Sequence, residues 1–124
     1  RKARCARCGR VHPWTDDLST ETACPSCGQA GEMRPHVVWF GEMPLHLDRI
    51  YSALLAADRF VAIGTSGAVY PAAGFVAEAR GMGIPTVEIN LEASDNAYAF
   101  NHRRYGPATE TVPAWVEDVL AGKA

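Results

Sequence analysis

No run of apolar residues in this 124-residue chain approaches the ~18–20 residues that a membrane helix requires. Neither sign of charge dominates. Twelve lysines and arginines stand against 14 aspartates and glutamates, a net of -2 at pH 7, which supplies no global field to draw nucleic acid or anionic lipid. The opening residues, Arg1-Lys2-Ala3-Arg4-Cys5, lack the apolar core of a secretion signal, so a cytoplasmic setting is the expectation. Internal repeats and low-complexity tracts are missing too. What is present is ordinary globular composition, 48% apolar and 21% charged. A chain of this size can bury roughly 65% of its unfolded surface, so a core is possible.

Cysteine is scarce but patterned. Cys5-x2-Cys8 is followed after fifteen residues by Cys24-x2-Cys27, the spacing of zinc sites in which each pair forms a tight knuckle and gives two thiolates to a tetrahedral ion. Gly9 and Gly28 follow the second cysteine of each pair, where a knuckle needs positive φ. Two disulfides are the rival arrangement, and a reducing cytosol disfavours them. Four thiolates leave no position for water, so the zinc is expected to be structural. Arg4, Arg7 and Arg10 are placed to offset the site's negative charge. Acidic residues interleave with these arginines and Trp14 is the one aromatic in the stretch, so nucleic acid is not an expected partner. The spacing predicts a zinc-binding module over residues 1–35.

After residue 35, short apolar runs alternate with helical patterns, which points to an α/β fold with a parallel sheet. Strands are expected at His36–Phe40, Arg59–Ile63 and Thr86–Asn90. Leu47, Ile50, Tyr51, Leu54 and Leu55 recur at helical spacing within 45–57. A second helix is expected from Pro71, with Phe75, Val76, Ala79 and Met82 as its stripe, and a short terminal helix after Pro113.

Ligands of open parallel sheets bind beyond the carboxyl ends of the strands, and the unusual residues gather there. The second strand runs into Gly64-Thr65-Ser66-Gly67, small enough for a phosphate or ribose to approach the backbone. It carries neither a Walker lysine nor a G-x-G-x-x-G pattern, and alone it is better read as an ordinary strand-to-helix turn. The third strand ends in Asn90-Leu91-Glu92, whose amide and carboxylate suit ribose hydroxyls, although alone such residues are more often caps.

Together, the paired cysteines, Arg34-Pro35-His36-Val37-Val38-Trp39-Phe40-Gly41-Glu42, Gly64-Thr65-Ser66-Gly67-Ala68-Val69-Tyr70-Pro71, Ile89-Asn90-Leu91-Glu92 and Tyr105-Gly106-Pro107-Ala108 resemble, in order, the C-terminal half of a sirtuin. The likeness is to bacterial members of the CobB type, NAD-dependent protein-lysine deacylases. It implies a Rossmann-like parallel sheet over 36–124 beside the zinc module, with NAD as co-substrate. The resemblance assigns the adenosine part of NAD to Gly64, Thr65, Ser66, Asn90, Leu91 and Glu92, with the Ala108 backbone beside the adenine. It assigns an acyl-lysine peptide, held as an added strand, to Val38, Phe40, Gly41, Glu42, Gly67 and Val69. In that family the acyl oxygen attacks the nicotinamide ribose, nicotinamide leaves, and O-acyl-ADP-ribose follows.

The family's Gly-Ala-Gly phosphate loop, Gln-Asn-Ile-Asp segment and His-Gly pair with the catalytic base are not among these residues, and none of His12, His36, His46 or His102 precedes a glycine. No strand or helix is expected ahead of the first cysteine pair, as though the chain began inside a larger domain. The expectation is therefore a C-terminal half that needs an upstream half as partner and is inactive alone. The alternative is a non-catalytic zinc-ribbon and α/β module that binds peptide or nucleotide.

Overall fold

The computed structural model describes residues 1–123 and divides into two compact units, Arg1–Leu45 and His46–Ala124.

The first unit is a three-stranded antiparallel sheet of β1 (Lys2–Cys5), β2 (Val11–Pro13) and β3 (Met33–Pro35), in the order β2-β1-β3. A strand thus does lie ahead of the cysteine knuckle. Its basic residues hide a period of two, in which Ala3 and Cys5 point inward while Lys2 is exposed. Ala3, Cys5, Cys24 and Met33 form the core, with Trp14 and Leu18 packed on it.

The strand expected at 36–40 does not form. β3 ends at Pro35, and the chain turns back on itself because Arg34 gathers it. The Arg34 guanidinium lies 3.8 Å from the Trp39 ring centroid and holds both oxygens of Glu42, at 2.5 and 3.1 Å. The Trp39 N–H donates to Glu42 at 2.9 Å, and the Glu42 N–H donates to the Trp39 carbonyl at 3.0 Å. Arg34 first, then the Trp39 N–H, hold the Glu42 carboxyl below its ordinary range. This clasp lies within the first unit, which ends at Leu45. It leaves Phe40 93% exposed, a poor core residue for a strand.

In the second unit, α1 (Leu47–Leu55) precedes β4 (Phe60–Ile63). A 3-10 turn at Ala72–Gly74 runs into α2 (Phe75–Gly81), and then follow β5 (Thr86–Asn90), a 3-10 turn at Ala97–Ala99, β6 (His102–Tyr105) and α3 (Ala108–Leu120). The strands are parallel in the order β4-β5-β6, so β5 is central. It reads as nearly continuous burial, Thr86 to Ile89, as expected of a strand covered on both faces. On one face Phe60 and Ala62 pack against Val76, Ala99 and Phe100. Phe60 and Phe75 also close over Leu54, Ala79 and Ile84. Asn101 pins the start of β5: its Oδ1 accepts the Thr86 N–H at 3.0 Å and the Thr86 hydroxyl at 2.8 Å.

Three sequence expectations need correction. Pro71 opens the 3-10 turn, not the α-helix, and α2 starts only at Phe75. The terminal helix does not wait for Pro113. It starts at Ala108, after Pro107 as its N-cap, and contains Pro113, losing one i→i-4 bond there. The third strand of the described sheet is β6 rather than 36–40. His102-Arg103-Arg104-Tyr105 shows no apolar signal because β6 lies at an edge of the described sheet, where charged side chains are usual. Arg104 pairs with Asp118 of α3 at 2.7 Å. Among the described residues no helix is long and apolar enough to cross a membrane.

Candidate functional site

Two local arrangements carry chemistry, one in each unit. In the first, the two cysteine pairs fold alike. Cys5 donates its N–H to the Arg10 carbonyl and accepts the Gly9 N–H, both at 2.9 Å. Cys24 does the same with Gln29 at 2.9 Å and Gly28 at 2.8 Å. Gly9 and Gly28 have φ of 73° and 71°, the left-handed conformation that only glycine adopts freely.

The four sulfurs lie within 4.8 Å of one another. Cys5 Sγ is 3.8 Å from Cys27 Sγ, and Cys8 Sγ is 3.7 Å from Cys24 Sγ. Those distances are far beyond a disulfide bond, and all four thiols are free. They fit sulfurs on a tetrahedron around zinc, where Zn–S bonds of about 2.3 Å put sulfurs about 3.8 Å apart. The electrostatics agree. Backbone N–H groups, led by that of Cys27, lower the Cys24 thiol to about 6. Cys27 accepts the Gln29 N–H, yet burial and the three neighbouring sulfurs push it up to about 11. Sulfurs so crowded ionise together only around a cation. Of the three nearby arginines, Arg4 reaches Glu42 at 3.7 Å and Arg7 hydrogen-bonds Gln29. His12 Nε2 stands 3.3 Å from Ser26 Oγ and 4.0 Å from Cys24 Sγ. Four thiolates fill the shell, so the metal's work is structural.

In the second unit, the carboxyl ends of β4 and β5 frame a cleft of about 280 Å³. Gly64, Thr65 and Ser66 line it from one side, and Asn90, Leu91 and Glu92 from the other. These are six of the seven residues expected to contact nucleotide. Ala93, Ser94 and Asp95, which the sequence reading passed over, complete the wall. Asn90 fastens the two loops: its Nδ2 donates to the Thr65 carbonyl at 2.6 Å, and its Oδ1 accepts the Leu91 N–H at 3.0 Å. Both polar ends of its amide are therefore occupied by protein. The Thr65, Ser66 and Ser94 hydroxyls and the Glu92 and Asp95 carboxylates are the other polar side chains of its lining residues. The Asp95 N–H donates to the Ser66 carbonyl at 2.9 Å. Ala108 is the first residue of α3, exposed, and does not line the cleft. The same turn is nonetheless tied to it, since the Gly106 N–H donates to the Asn90 carbonyl at 3.0 Å.

The residues expected to hold peptide are divided between the units. Val38, Phe40, Gly41 and Glu42 belong to the first, in the Arg34 clasp rather than in an extended strand. Gly41 has a φ of 85°. Gly67 and Val69 belong to the second unit and line another cleft of about 280 Å³, over the apolar β4 residues; Thr65 and Ser66 line both clefts. Gly67 has no room for a side chain, because a Cβ there would sit 2.0 Å from Asn96 Oδ1. Sequence reading also missed Glu88, a carboxylate at 2% exposure in the middle of β5. Its signal was available, since a lone acid inside an apolar strand must have partners.

The Sir2 family profile matches residues 1–71. An NAD-dependent protein deacylase of Caulobacter vibrioides is 64% identical over 118 residues, covering 95% of this chain and 50% of that protein. One from Escherichia coli strain K12 is 54% identical over 121 residues, covering 98% of this chain and 43% of that protein. The chain thus spans about half the length of the curated relatives it matches. The crystal structure of a Sir2 homolog–NAD complex matches with a TM-score of 0.81 at 30% identity, over 100% of this chain and 49% of that one. Since the profile takes in more than half of the residues and these relatives align along nearly all of them, the chain belongs to the Sir2 family.

Proposed function

We propose that this chain is the zinc-bearing, adenosine-binding portion of an NAD-dependent protein-lysine deacylase. The observation that carries the reading is the strand-end cleft, in which Gly64, Thr65 and Ser66 meet Asn90, Leu91 and Glu92 across about 280 Å³. Parallel sheets bind nucleotides at this end, and the donor set suits a ribose. The relatives' names as NAD-dependent protein deacylases support the reaction class.

In this reading Gly64 lets the backbone approach the ligand, Ser66 and Glu92 reach the ribose, Asn90 holds the two loops at their spacing, and Ala108 borders the adenine. Bound NAD supplies an electrophilic ribose carbon with nicotinamide as leaving group. Gly67 and Val69 of the second unit are candidate contacts for the acyl-lysine peptide, as are Val38, Phe40 and Gly41 of the first, where Glu42 holds their turn against Arg34. This reading assigns the general base and the phosphate-binding loop to residues outside these 124, in keeping with relatives about twice this length. The four free thiols suit a reducing compartment, in keeping with a cytoplasmic enzyme.

The test is kinetic. In the complete enzyme, Ser66→Ala and Asn90→Ala each remove roughly 0.5–1.5 kcal/mol of hydrogen bonding, the first from the ligand and the second from the cleft's own frame. The KM for NAD should rise about two- to tenfold while the KM for acyl-peptide stays near wild type. A rise confined to the peptide KM would reverse the assignment of the loops.

A further inference from the structure

Glu88 lies on β5 at 2% exposure, and a carboxylate so placed is costly without partners. Its partners point one way along the sheet. One oxygen accepts the Ser94 N–H at 3.3 Å and contacts the Ser94 hydroxyl; the other accepts the Tyr105 hydroxyl at 3.0 Å. Burial first, and then Glu88 beside it, raise the Tyr105 phenol above its ordinary value, so the phenol keeps its proton and remains a donor.

Ser94 lines the nucleotide cleft, as does Asp95, the residue after it, which is bonded to the Ser66 carbonyl. Ser94 Oγ also lies 3.0 Å from Asn96 Oδ1, and Asn96 Nδ2 donates to the Ala73 carbonyl at 2.8 Å. A side chain rooted in the most buried strand thus reaches the 91–96 wall of the cleft through Ser94. Asn90 holds the near end of that wall. We propose that Glu88 is a positioning residue for the nucleotide: through Ser94 it fixes the cleft wall facing the Gly64–Ser66 loop, without touching the ligand itself. This rests on the reading of the cleft as the adenosine site.

The test uses the complete enzyme with Glu88→Gln, Glu88→Ala, Ser94→Ala and the Glu88→Ala/Ser94→Ala double variant. Each is checked for zinc content and thermal unfolding, then titrated calorimetrically with ADP-ribose and assayed for both KM values. Hydrogen bonds to a buried carboxylate are strong, so Glu88→Ala should weaken ADP-ribose about tenfold and leave the acyl-peptide KM within about twofold. Glu88→Gln keeps an acceptor for Tyr105 but not both oxygens. It should fold if Glu88→Ala does not, and it should show a smaller loss in the same direction. The double variant should be little weaker than the worse single one, because both changes release the same wall.

Folded, zinc-replete Glu88→Gln or Glu88→Ala with wild-type ADP-ribose affinity would overturn the proposal. So would losses that add fully in the double variant. Ser66→Ala, titrated alongside, separates the two levels of inference. If it weakens ADP-ribose while the Glu88 variants do not, the positioning role alone fails. If neither weakens ADP-ribose, the cleft assignment fails and the role of Glu88 falls with it.

Discussion

Cys24→Ser is expected to abolish stoichiometric zinc and, with it, the fold of Arg1–Leu45. The unit's core is Ala3, Cys5, Cys24 and Met33 under Trp14 and Leu18, and two of its four buried members are themselves thiolates of the site. So small a cluster supplies little hydrophobic stabilisation. Structural zinc in small metal-binding peptides contributes about 10–16 kcal/mol of folding free energy at neutral pH, which exceeds anything that core can replace. Serine lacks the thiolate's affinity for zinc, and three sulfurs leave the shell open. Metal analysis should give close to one zinc per reduced wild-type chain and far less for the variant, and the near-ultraviolet dichroism contributed by Trp14 should collapse in parallel. A wild type carrying far less than one zinc per chain, or a variant that unfolds at the wild-type temperature, would refute this.

A loss of comparable size is expected when the 124-residue chain is assayed by itself. Removing a general base typically costs on the order of 10²–10⁴ in rate, and the proposed function assigns that base to residues outside this chain. The proposed arrangement also leaves the phosphates of NAD without their loop. The sheet points the same way. Val61 is only partly buried and Ile63 is 45% exposed, although both lie on a strand of nearly pure apolar composition. A parallel sheet is stable when both faces are covered. The isolated chain should therefore bind NAD weakly, release no measurable nicotinamide from an acetyl-lysine peptide, and self-associate in ultracentrifugation. Co-expression with the part of the Caulobacter vibrioides relative that this chain does not cover should restore turnover and shift the chain to a defined complex. Robust deacylation by the chain alone would require one of its own four histidines as the base.

Legibility in the sequence followed the strength of the local physical constraint. The zinc knuckles were readable because a four-thiolate shell demands a fixed spacing, and positive φ after each pair selects Gly9 and Gly28. β5 was readable to the residue, since a central parallel strand buries side chains on both faces. β1 was hidden because only two of its four positions, Ala3 and Cys5, face the core. His36–Phe40 misled for the opposite reason: its apolar, β-branched run has the composition of a strand, but the clasp between Arg34 and Glu42 decides its path. The strand-end cleft was legible only as two separate loops of small and polar residues. What joins them, the Asn90 amide on the Thr65 carbonyl, is a contact across 25 positions of sequence that no local pattern announces. Glu88 could have been suspected as a buried acid, but its partners Ser94 and Tyr105 could not have been named.

The likeness of the two cysteine knuckles has a consequence for how the metal site meets reactive molecules. Within each pair the first cysteine is buried and the second exposed: Cys5 and Cys24 inside, Cys8 and Cys27 outside. The cluster thus has an inner and an outer sulfur from each half. An alkylating agent or oxidant arriving from solvent meets one ligand of each knuckle, and modification of either opens the shell from outside while the two inner sulfurs remain shielded. Brief treatment with iodoacetamide followed by peptide mass mapping should label Cys8 and Cys27 ahead of Cys5 and Cys24, with zinc release keeping pace with the first adduct. Equal labelling of all four would mean that the knuckles open before they react.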